Sequence, residues 1–489
     1  MEAWTVVLGV MIAYCIACLV IGYAGLKVGK IDVEDFFLGG RTFGFAVAYL
    51  LYVSTFHSSF AFMGSVGWIY SMGITFFATL SSCIVSPLMY YVLGYRIWLL
   101  GKKHGFITPA DLLGDYYQSN LVRVIISILG LVFVIPYIQA QMIGAGYILE
   151  IGTGGRVPYL WGCIILLAVI MGYVWLGGLR AAAWTDVLQG VLMFAMVWVG
   201  GIFVTYAALG TTDFTTVFQK IEQTYPKLLV VPDAYWPVYT TLFISLVGIS
   251  IYPPIWMSAY TARSPKILKW LSVTSPLYLI WFYLPCFLVA WAGKIVLPPV
   301  ARPDTVFPLM LMKYAPAWLA ALTLAGGIAA CMSTADAQLL SCSAMFTRDL
   351  YQRFIKPDAK AKTILLVGRT LIVIFGFVSV ALALLVPGLI VSVVALALGG
   401  CLQMMPSLIG AVYWPRGTKA GAVSGLVVGI VVLVLTQFIW PGPFGIMSGA
   451  WAIISNSLVY VLVSYATKPP SEEVRAKFHG YLNSVVHKP

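Results

Sequence analysis

The chain has 489 residues, of which 61% are hydrophobic, 14% aromatic and only 9% charged. Its mean hydropathy is +0.94. A soluble globular chain carries about 25% charged residues, so this composition excludes a soluble enzyme, a disordered protein and a disulfide-stapled secreted module. The formal net charge of +12 does not indicate a nucleic-acid partner, because the basic residues fall in short loops between apolar stretches.

Thirteen apolar stretches approach or exceed the roughly 20 residues that a membrane-spanning helix needs. We number them as spans 1 to 13, at residues 4–26, 44–70, 74–101, 120–150, 157–177, 180–209, 234–262, 268–294, 306–346, 363–386, 388–414, 419–440 and 445–466. Span 9 is too long for one straight helix, so we expect an external loop or short helix around Val306–Trp318. The prediction is an all-α integral membrane protein in which the bilayer is the main partner.

The basic residues indicate an orientation. All but six of the 29 Lys and Arg follow odd-numbered spans. Because cytoplasmic loops are enriched in Lys and Arg, we expect these connections and the C-terminal tail in the cytoplasm and the N-terminus outside. One span more or fewer would scramble this asymmetry. The six on the other side are Arg156, Lys220, Lys227, Lys294, Arg302 and Lys313.

Two spans carry residues that interrupt a helix. Span 2 contains the polar run Ser54–Ser59, and span 7 contains Gly248–Pro254, which ends in two prolines. Proline removes a backbone donor and clashes with the preceding turn, so span 7 should unwind there. Broken helices of this kind line the midplane sites of secondary transporters. The alternative is that the prolines only kink the helix.

The two breaks lie five spans apart, which fits a five-plus-five inverted repeat over spans 2–11. The predicted units follow from this spacing. They are the first span with its loop (1–43), the first repeat (44–209), an external loop (210–233), the second repeat (234–415), spans 12 and 13 (416–466) and a cytoplasmic tail (467–489).

Acidic residues deep in apolar spans are rare, and only Asp186 and Asp336 lie well inside. Intramembrane carboxylates usually face a cavity, a partner or an ion path. Ser333 and Thr334 precede Asp336, and their hydroxyls are hard oxygen ligands suited to a small cation. The alternative is that they bond to the backbone of their own helix; Asp336 beside them favours a cation site.

Several polar and aromatic side chains are candidates for binding a solute. Tyr137 and Gln141 follow Pro136 in span 4, and Gln403 precedes Pro406 in span 11. Interhelical hydrogen bonding is an equal alternative for the amides. His57 and Trp256 are further candidates, with packing roles as the alternative. The sequence contains no Walker-type phosphate loop, no catalytic set, no Cys-x-x-Cys and no Cys/His cluster, so we expect neither an enzyme nor an organic cofactor.

A series of short motifs resembles the sodium/solute symporter family, whose members include proline, pantothenate, sugar, sialic acid and monocarboxylate transporters. The motifs occur in family order over about residues 5–465. They are Asp35–Arg41, Thr108–Asp111, Gly177–Arg180 with Trp184–Asp186, Met332–Leu340 with Arg348–Leu350, and Gly410–Trp414.

The resemblance implies a ten-helix core like that of the leucine transporter fold, alternating access, and a sodium site between spans 2 and 9. Family members use two carbonyls on span 2 and a carbonyl with two hydroxyls on span 9. The matching residues here are Ser54, His57, Ala330, Ser333 and Thr334. Some members have a second sodium site. Here Asp186, Ser333 and Asp336 are its candidates, although Asp336 and Ala337 stand in place of hydroxyls, and a proton is the alternative occupant.

The resemblance also guides the prediction of the solute. Span 3 lacks the acidic group of the family's sugar transporters. The residues that look most like the monocarboxylate branch are Pro136–Ile138 with Gln141 and Gly144 in span 4, and the break at Tyr252 and Pro253. The expected function is sodium-coupled uptake of a small organic acid in a bacterial inner (plasma) membrane, by a monomer with Na⁺ as the coupling ion. Pantothenate or an amino acid such as proline is the alternative solute, and a passive channel or facilitator is the alternative class. The expected solute contacts are His57, Ser58, Ser59, Tyr137, Gln141, Tyr252, Pro253, Trp256 and Gln403.

Overall fold

The computed structural model describes residues 2–28, 32–386 and 388–486, and within these ranges the chain is helical, with no β-strand. Residues 29–31 of the predicted first loop and 487–489 of the predicted tail lie outside the described residues. In chain order the helices at the predicted spans are Ala3–Val28; Phe45–Phe56 with Ser65–Met72; Phe77–His104; Asn120–Gly152; Tyr159–Leu209, which covers spans 5 and 6; Trp236–Val247 with Pro253–Thr261; Pro265–Val296; Ala317–Ala344; Ala361–Leu385; Ile390–Cys401 with Met405–Val412; Lys419–Val434; and Ser448–Ala466.

Eleven helical stretches of the described chain are long and apolar enough to cross a membrane. Two of them, Phe60–His104 with 45 residues and Tyr159–Leu209 with 51, far exceed one bilayer crossing of about 20 residues. Each contains a glycine at positive φ, Gly73 in the first and Gly178 in the second. These glycines lie where the sequence predicts separate spans. The count of thirteen crossings stays a prediction.

Close backbone approach explains why both positions are glycine. A Cβ atom on Gly73 would lie 1.8 Å from the Leu228 carbonyl oxygen, and one on Gly178 would lie 2.3 Å from the Phe36 carbonyl oxygen. A larger residue at either position would also be strained by the positive φ. The chain therefore changes direction at both glycines while packing tightly against another segment.

Hydrogen bonds and ion pairs sort the connections onto two faces. Those that follow odd-numbered spans meet one another through Arg41 and Phe106, Phe43 and Thr261, Asp35 and Arg180, Thr108 and Asp349, and Asp115 and Lys477. Those on the opposite face meet through Glu2 and Arg156, Asp304 and Ile390, and Thr241 and Met447. Each of these contacts therefore joins segments at the same end of the predicted spans. Which face is cytoplasmic stays a prediction.

Helices also occur where the sequence predicts connections. Val306–Tyr314 is a short helix separate from span 9, as expected, and the predicted loop at 210–233 contains the helix Phe214–Thr224. The predicted tail is also helical from Glu472 to Val486, and it packs on the chain through Phe478, which is fully buried. Sequence analysis missed this docking of the tail.

Span 9 lies at the centre of the fold. Its helix, Ala317–Ala344, is rich in Gly, Ala and Ser, and nearly all of its residues are buried. Small residues let neighbouring helices approach closely. A Cβ atom on Gly327 would lie 2.7 Å from the Phe62 ring, and one on Gly326 would lie 3.0 Å from the Met196 side chain. This packing holds the hydroxyl and carboxyl groups of span 9 against its neighbours.

Candidate functional site

The predicted break in span 2 is present. The helix Phe45–Phe56 ends at His57, whose backbone is extended (φ −93°, ψ 96°). Side chains replace the helical hydrogen bonds that the break removes. The Ser59 amide donates to Gln141 Oε1 at 2.9 Å, and the Phe60 amide donates to Ser58 Oγ at 3.1 Å. Gln141 therefore supports the broken backbone from span 4.

Four of the five predicted sodium-site residues lie together. Ser333 Oγ donates to the Ser54 carbonyl at 3.1 Å and lies 3.4 Å from the Ala330 carbonyl. Thr334 Oγ1 lies 3.4 Å from the Ser54 carbonyl and 3.4 Å from the Thr55 carbonyl. All these residues are buried. The result is a compact group of carbonyl and hydroxyl oxygens between spans 2 and 9, in which Thr55 is an addition that the sequence analysis missed.

His57 lies at the same break, but its ring packs elsewhere. The imidazole stacks on Phe282 of span 8, with ring centroids 4.4 Å apart, and lies close to Tyr278 and Tyr283. Among the described residues, no hydrogen bond joins the His57 side chain or carbonyl to span 9 or to Tyr137. The ring therefore has a packing role, the alternative considered from the sequence.

The predicted solute contacts divide into two groups. Ser58, Tyr137 and Tyr252 lie together, with 3.2 Å between the Ser58 and Tyr137 hydroxyl oxygens and 5.3 Å between the two tyrosine ring centroids. Ser59 and Gln141 adjoin them through the bond that supports the break, and the Ser59 hydroxyl also donates to the Ala140 carbonyl at 2.9 Å. These five residues connect the broken part of span 2 with spans 4 and 7.

Span 7 is also broken as predicted. After Val247 the chain forms a turn of 3-10 helix, Gly248–Ile251, becomes extended at Tyr252 (φ −54°, ψ 129°) and starts a new helix at Pro253. The hydroxyls of Ser250 and Tyr252 have no hydrogen-bond partner among the described residues. They are therefore the polar groups at this break that remain free to bind a ligand.

Trp256 and Gln403 belong to different surroundings. Trp256 Nε1 donates to the Tyr260 hydroxyl at 3.0 Å, within its own helix. The Gln403 side chain donates to the Gly399 carbonyl at 3.0 Å, and its carbonyl groups accept from Asn456 of span 13. Gln403 thus makes the interhelical hydrogen bonds that were the alternative for it. Neither residue has a hydrogen bond to the group around Tyr137.

Asp186 and Asp336 form a buried acidic pair beside the oxygen group. Both are fully buried, and they interact electrostatically with each other. The Tyr173 hydroxyl donates to Asp336 Oδ2 at 2.9 Å. Asp336 Oδ1 and both Asp186 oxygens have no hydrogen-bond partner among the described residues. The Ser54 hydroxyl interacts with Asp186 but hydrogen bonds to the Leu51 carbonyl at 3.2 Å.

Comparisons with known proteins agree with this architecture. The chain is 26% identical over 510 aligned positions to a sodium/proline symporter of Staphylococcus aureus, covering 97% of this chain and 95% of that protein. It is 24% identical over 418 positions to an uncharacterized symporter of Bacillus subtilis, YhjB, covering 84% of each chain. These bacterial relatives support a multi-pass protein of a bacterial plasma membrane.

Solved structures show the same fold. A Na⁺-coupled sialic acid symporter in a substrate-bound outward-open state superposes with a TM-score of 0.80 at 19% identity, covering 95% of this chain and 98% of that one. The relatives and this fold are those of transporters and not of enzymes. The sodium:solute symporter family model matches residues 36–429. The chain therefore belongs to the sodium:solute symporter family.

Proposed function

We propose that this protein is a sodium-coupled symporter that takes up a small carboxylate-bearing solute by alternating access, acting as a monomer. The observation that carries the proposal is the group of oxygens between spans 2 and 9. The Ser333 hydroxyl lies 3.1 Å from the Ser54 carbonyl and 3.4 Å from the Ala330 carbonyl. The Thr334 hydroxyl lies 3.4 Å from the Ser54 and Thr55 carbonyls. Carbonyl and hydroxyl oxygens are the ligands that hard cations prefer. We include the His57 carbonyl as an expected ligand from the family resemblance.

The break in span 2 supports coupling between ion and solute. Its first residues, Ser54 and Thr55, contact span 9, and Ser58 and Ser59 contact span 4 near Tyr137. Binding of sodium orders the first part of the break, which lowers the cost of ordering the second part around the solute. By linkage, the solute strengthens sodium binding equally. The membrane potential adds about 2.3 kcal/mol per charge per 100 mV as a driving force.

The chemistry around the two breaks favours a small solute. The side chains of Tyr137, Tyr252 and Ser58 offer hydroxyl groups. In the described part of the chain, no Lys or Arg forms a hydrogen bond with any of the three. A carboxylate here would be held by hydroxyls and by the bound cation. The Staphylococcus aureus relative, which covers 97% of this chain, is named a sodium/proline symporter. Proline is therefore our first candidate, with a monocarboxylate such as acetate or pyruvate as the second and pantothenate as the third.

We further propose that Asp186, Ser333 and Asp336 form a second cation site. Two buried carboxylates in an apolar environment need compensating positive charge. Tyr173 supplies one hydrogen bond and no charge. A second sodium ion would supply that charge, and a proton is the other occupant considered.

The test is uptake by the purified protein in proteoliposomes with an inward sodium gradient. Labelled proline, acetate, pyruvate and pantothenate are offered in separate arms, with a potassium gradient as control. We expect sodium-dependent accumulation of one solute, and at least about a tenfold loss of sodium affinity in Ser333→Ala and Thr334→Ala, since each removes an oxygen ligand to a charged group.

Ser341→Ala is the matched control, because that hydroxyl lies on the same helix and, within the described part of the chain, bonds only to the Gln338 carbonyl, at 2.9 Å. Equilibration of the solute without accumulation above the outside concentration would instead show a passive facilitator. An unchanged sodium dependence in both Ser333→Ala and Thr334→Ala would refute the proposed ion site.

A further inference from the structure

Three polar side chains adjoin the Asp186–Asp336 pair from a direction that the sequence analysis did not consider. Tyr14 and Cys18 lie four residues apart on span 1, so they share one face of that helix. Gln189 lies three residues after Asp186 and shares its face of span 6. Tyr14 is 7% exposed, and Cys18 and Gln189 are fully buried. Span 1 lies outside the ten helices of the predicted repeats.

These three side chains are continuous with the carboxylates. Gln189 Nε2 lies 3.7 Å from Cys18 Sγ, within hydrogen-bond distance for sulfur. The Tyr14 hydroxyl lies near both Cys18 and Gln189 without meeting hydrogen-bond geometry to either. Cys18 also interacts with Asp336. Tyr173, which donates to Asp336, interacts with Cys18 and Asp186 as well. Side chains from spans 1, 5, 6 and 9 therefore form one buried polar cluster.

The cluster contains an unusual number of unpaired oxygens. The Tyr14 hydroxyl, Gln189 Oε1, both Asp186 oxygens and Asp336 Oδ1 all lack a hydrogen-bond partner among the described residues. Buried polar atoms are normally paired, so each isolated exception requires an explanation. Five such atoms lie in this one buried cluster, three of them on the two carboxyl groups, and a cation bound among them would pair them together.

We propose that Tyr14 and Gln189 are ligands of the second cation, so that its site extends from the transporter core to span 1. The assignment rests on the proposed second site at Asp186, Ser333 and Asp336. Phenol and amide oxygens are hard donors, so they would add to the carboxylate oxygens as ligands of a sodium ion. Cys18 positions Gln189: its sulfur accepts from the amide nitrogen, which leaves the amide oxygen for the cation.

The test compares sodium dependence in matched variants of the full-length protein in proteoliposomes. Tyr14→Phe removes one oxygen, and Gln189→Met removes the amide at similar volume. Because a hydrogen bond or ligand to a charged group contributes a factor of about ten or more, we expect the half-saturating sodium concentration to rise about tenfold in each variant. We also expect the number of sodium ions transported per solute to fall in Gln189→Met.

The controls lie on the same helix. Tyr23→Phe makes the same change on an exposed face of span 1, where the residue is 55% accessible, and should leave sodium dependence unchanged. Cys18→Ser keeps an acceptor for the Gln189 amide and should resemble the wild type, whereas Cys18→Ala should weaken sodium binding about threefold. Sodium-dependent thermal stabilisation of each purified variant distinguishes a lost ligand from a misfolded protein.

Two results separate this inference from the proposed function. Suppose that wild-type uptake depends on sodium but Tyr14→Phe and Gln189→Met match Tyr23→Phe in both sodium affinity and stoichiometry. Tyr14 and Gln189 are then not ligands, and the proposed sodium-coupled symport is unaffected. If the wild type itself shows no response to sodium in either uptake or thermal stability, the proposed function fails.

Discussion

Asp111 and Asp349 form a second pair of acidic side chains in the packed protein, and their surroundings differ from those of Asp186 and Asp336. They lie at the ends of helices on the face predicted to be cytoplasmic. Arg123 Nη1 lies 2.8 Å from Asp111 Oδ1 and 3.7 Å from Asp349 Oδ1. One guanidinium therefore forms ion pairs with both carboxylates.

Hydroxyl groups complete the pairing of Asp349. Thr108 Oγ1 donates to one carboxylate oxygen at 2.8 Å, and Ser127 Oγ donates to the other at 3.0 Å. These bonds join the start of the helix Pro109–Tyr116 to span 4 and to the end of span 9. Asp111 also accepts from the Ile107 amide at 3.1 Å. The carboxylates of this pair are compensated within the chain, which is typical of a structural network.

In the described structure, the Asp186–Asp336 pair lacks both a neighbouring guanidinium and hydrogen bonds to most of its carboxylate oxygens. No Lys or Arg contributes to it in the described structure, and three of its four oxygens are unpaired. The difference shows that burial of an acid does not by itself indicate function. The compensated carboxylates hold helices together, whereas the uncompensated pair is the one that we propose to bind a cation. The two pairs should respond to mutation with opposite signs.

The largest effect is expected from Arg123→Leu. The change leaves Asp349, which is fully buried, without its counter-charge. Removing one partner of a buried ion pair destabilises a protein by about 3–5 kcal/mol. Denaturant unfolding in detergent should show a loss of that size. Arg353→Leu is the matched control, because Arg353 is exposed nearby and should change stability by less than about 0.5 kcal/mol. Equal stability of both variants would contradict the structural role of the network.

The next effect has the opposite sign for stability. Asp186→Asn removes a buried, uncompensated charge, so the free energy of unfolding without sodium should be unchanged or higher. Sodium-driven uptake should fall at least about tenfold because a charged ligand is lost. Denaturant unfolding and proteoliposome uptake measure the two quantities.

Asp336→Ala tests the other member of the pair. We expect its ion stoichiometry or the pH dependence of its uptake to differ from the wild type. Retention of both would show that Asp336 takes no part in coupling. Asp349→Asn is the control for both acidic variants: it should lower stability and leave the sodium dependence of uptake unchanged, since that carboxylate is already paired.

Much of this architecture was accessible from the sequence because it depends on local patterns. Apolar stretches located the helices, and the proline pair at Pro253 and the polar run at Ser54–Ser59 predicted both breaks. The grouping of Ser54 with Ser333 and Thr334 needed the family resemblance, because the hydrogen bond joins residues 279 positions apart.

Other features depend on which way a side chain turns after a break. His57 follows the last helical residue of its segment, and an extended backbone at that point directs its ring to span 8. No periodicity extends across a break, so the sequence could not predict this direction. Gln403 and Asn456, and Thr108 and Asp349, are likewise paired by packing between distant segments.

A smaller effect is expected for Asp115, which lies on the same helix as Asp111 but is partly exposed. Lys477 Nζ of the tail lies 2.6 Å from Asp115 Oδ2, with the two side chains 39% and 32% accessible. Such pairs contribute about 0–1 kcal/mol because solvent screens them. Lys477→Met should therefore lower stability by less than about 1 kcal/mol, and the loss should diminish in high salt. If Lys477→Met lowered the free energy of unfolding as much as Arg123→Leu, buried and exposed ion pairs would not differ in their contribution to stability.

The smallest effect concerns the pH dependence of tail docking. His479 is buried beside the Tyr116 hydroxyl, at 3.3 Å, and burial lowers its pKa from 6.5 to about 4. Arg96 contributes to this lowering of the pKa, and the Gly410 backbone opposes it. The released tail binds a proton more readily than the docked tail, so docking is strongest above about pH 6.5 and weakens as the pH falls towards 4.

Hydrogen exchange of residues 472–486, corrected for the intrinsic pH dependence of exchange, measures this weakening. Exchange in the wild type should be faster at pH 5 than at pH 7.5, and His479→Gln should remove most of the difference because glutamine does not titrate in this range. Phe478 stays buried against Tyr116 in both proteins, with ring centroids 5.2 Å apart, and its apolar contact should keep the tail docked at neutral pH. An equal pH response in His479→Gln would assign the sensitivity to another group.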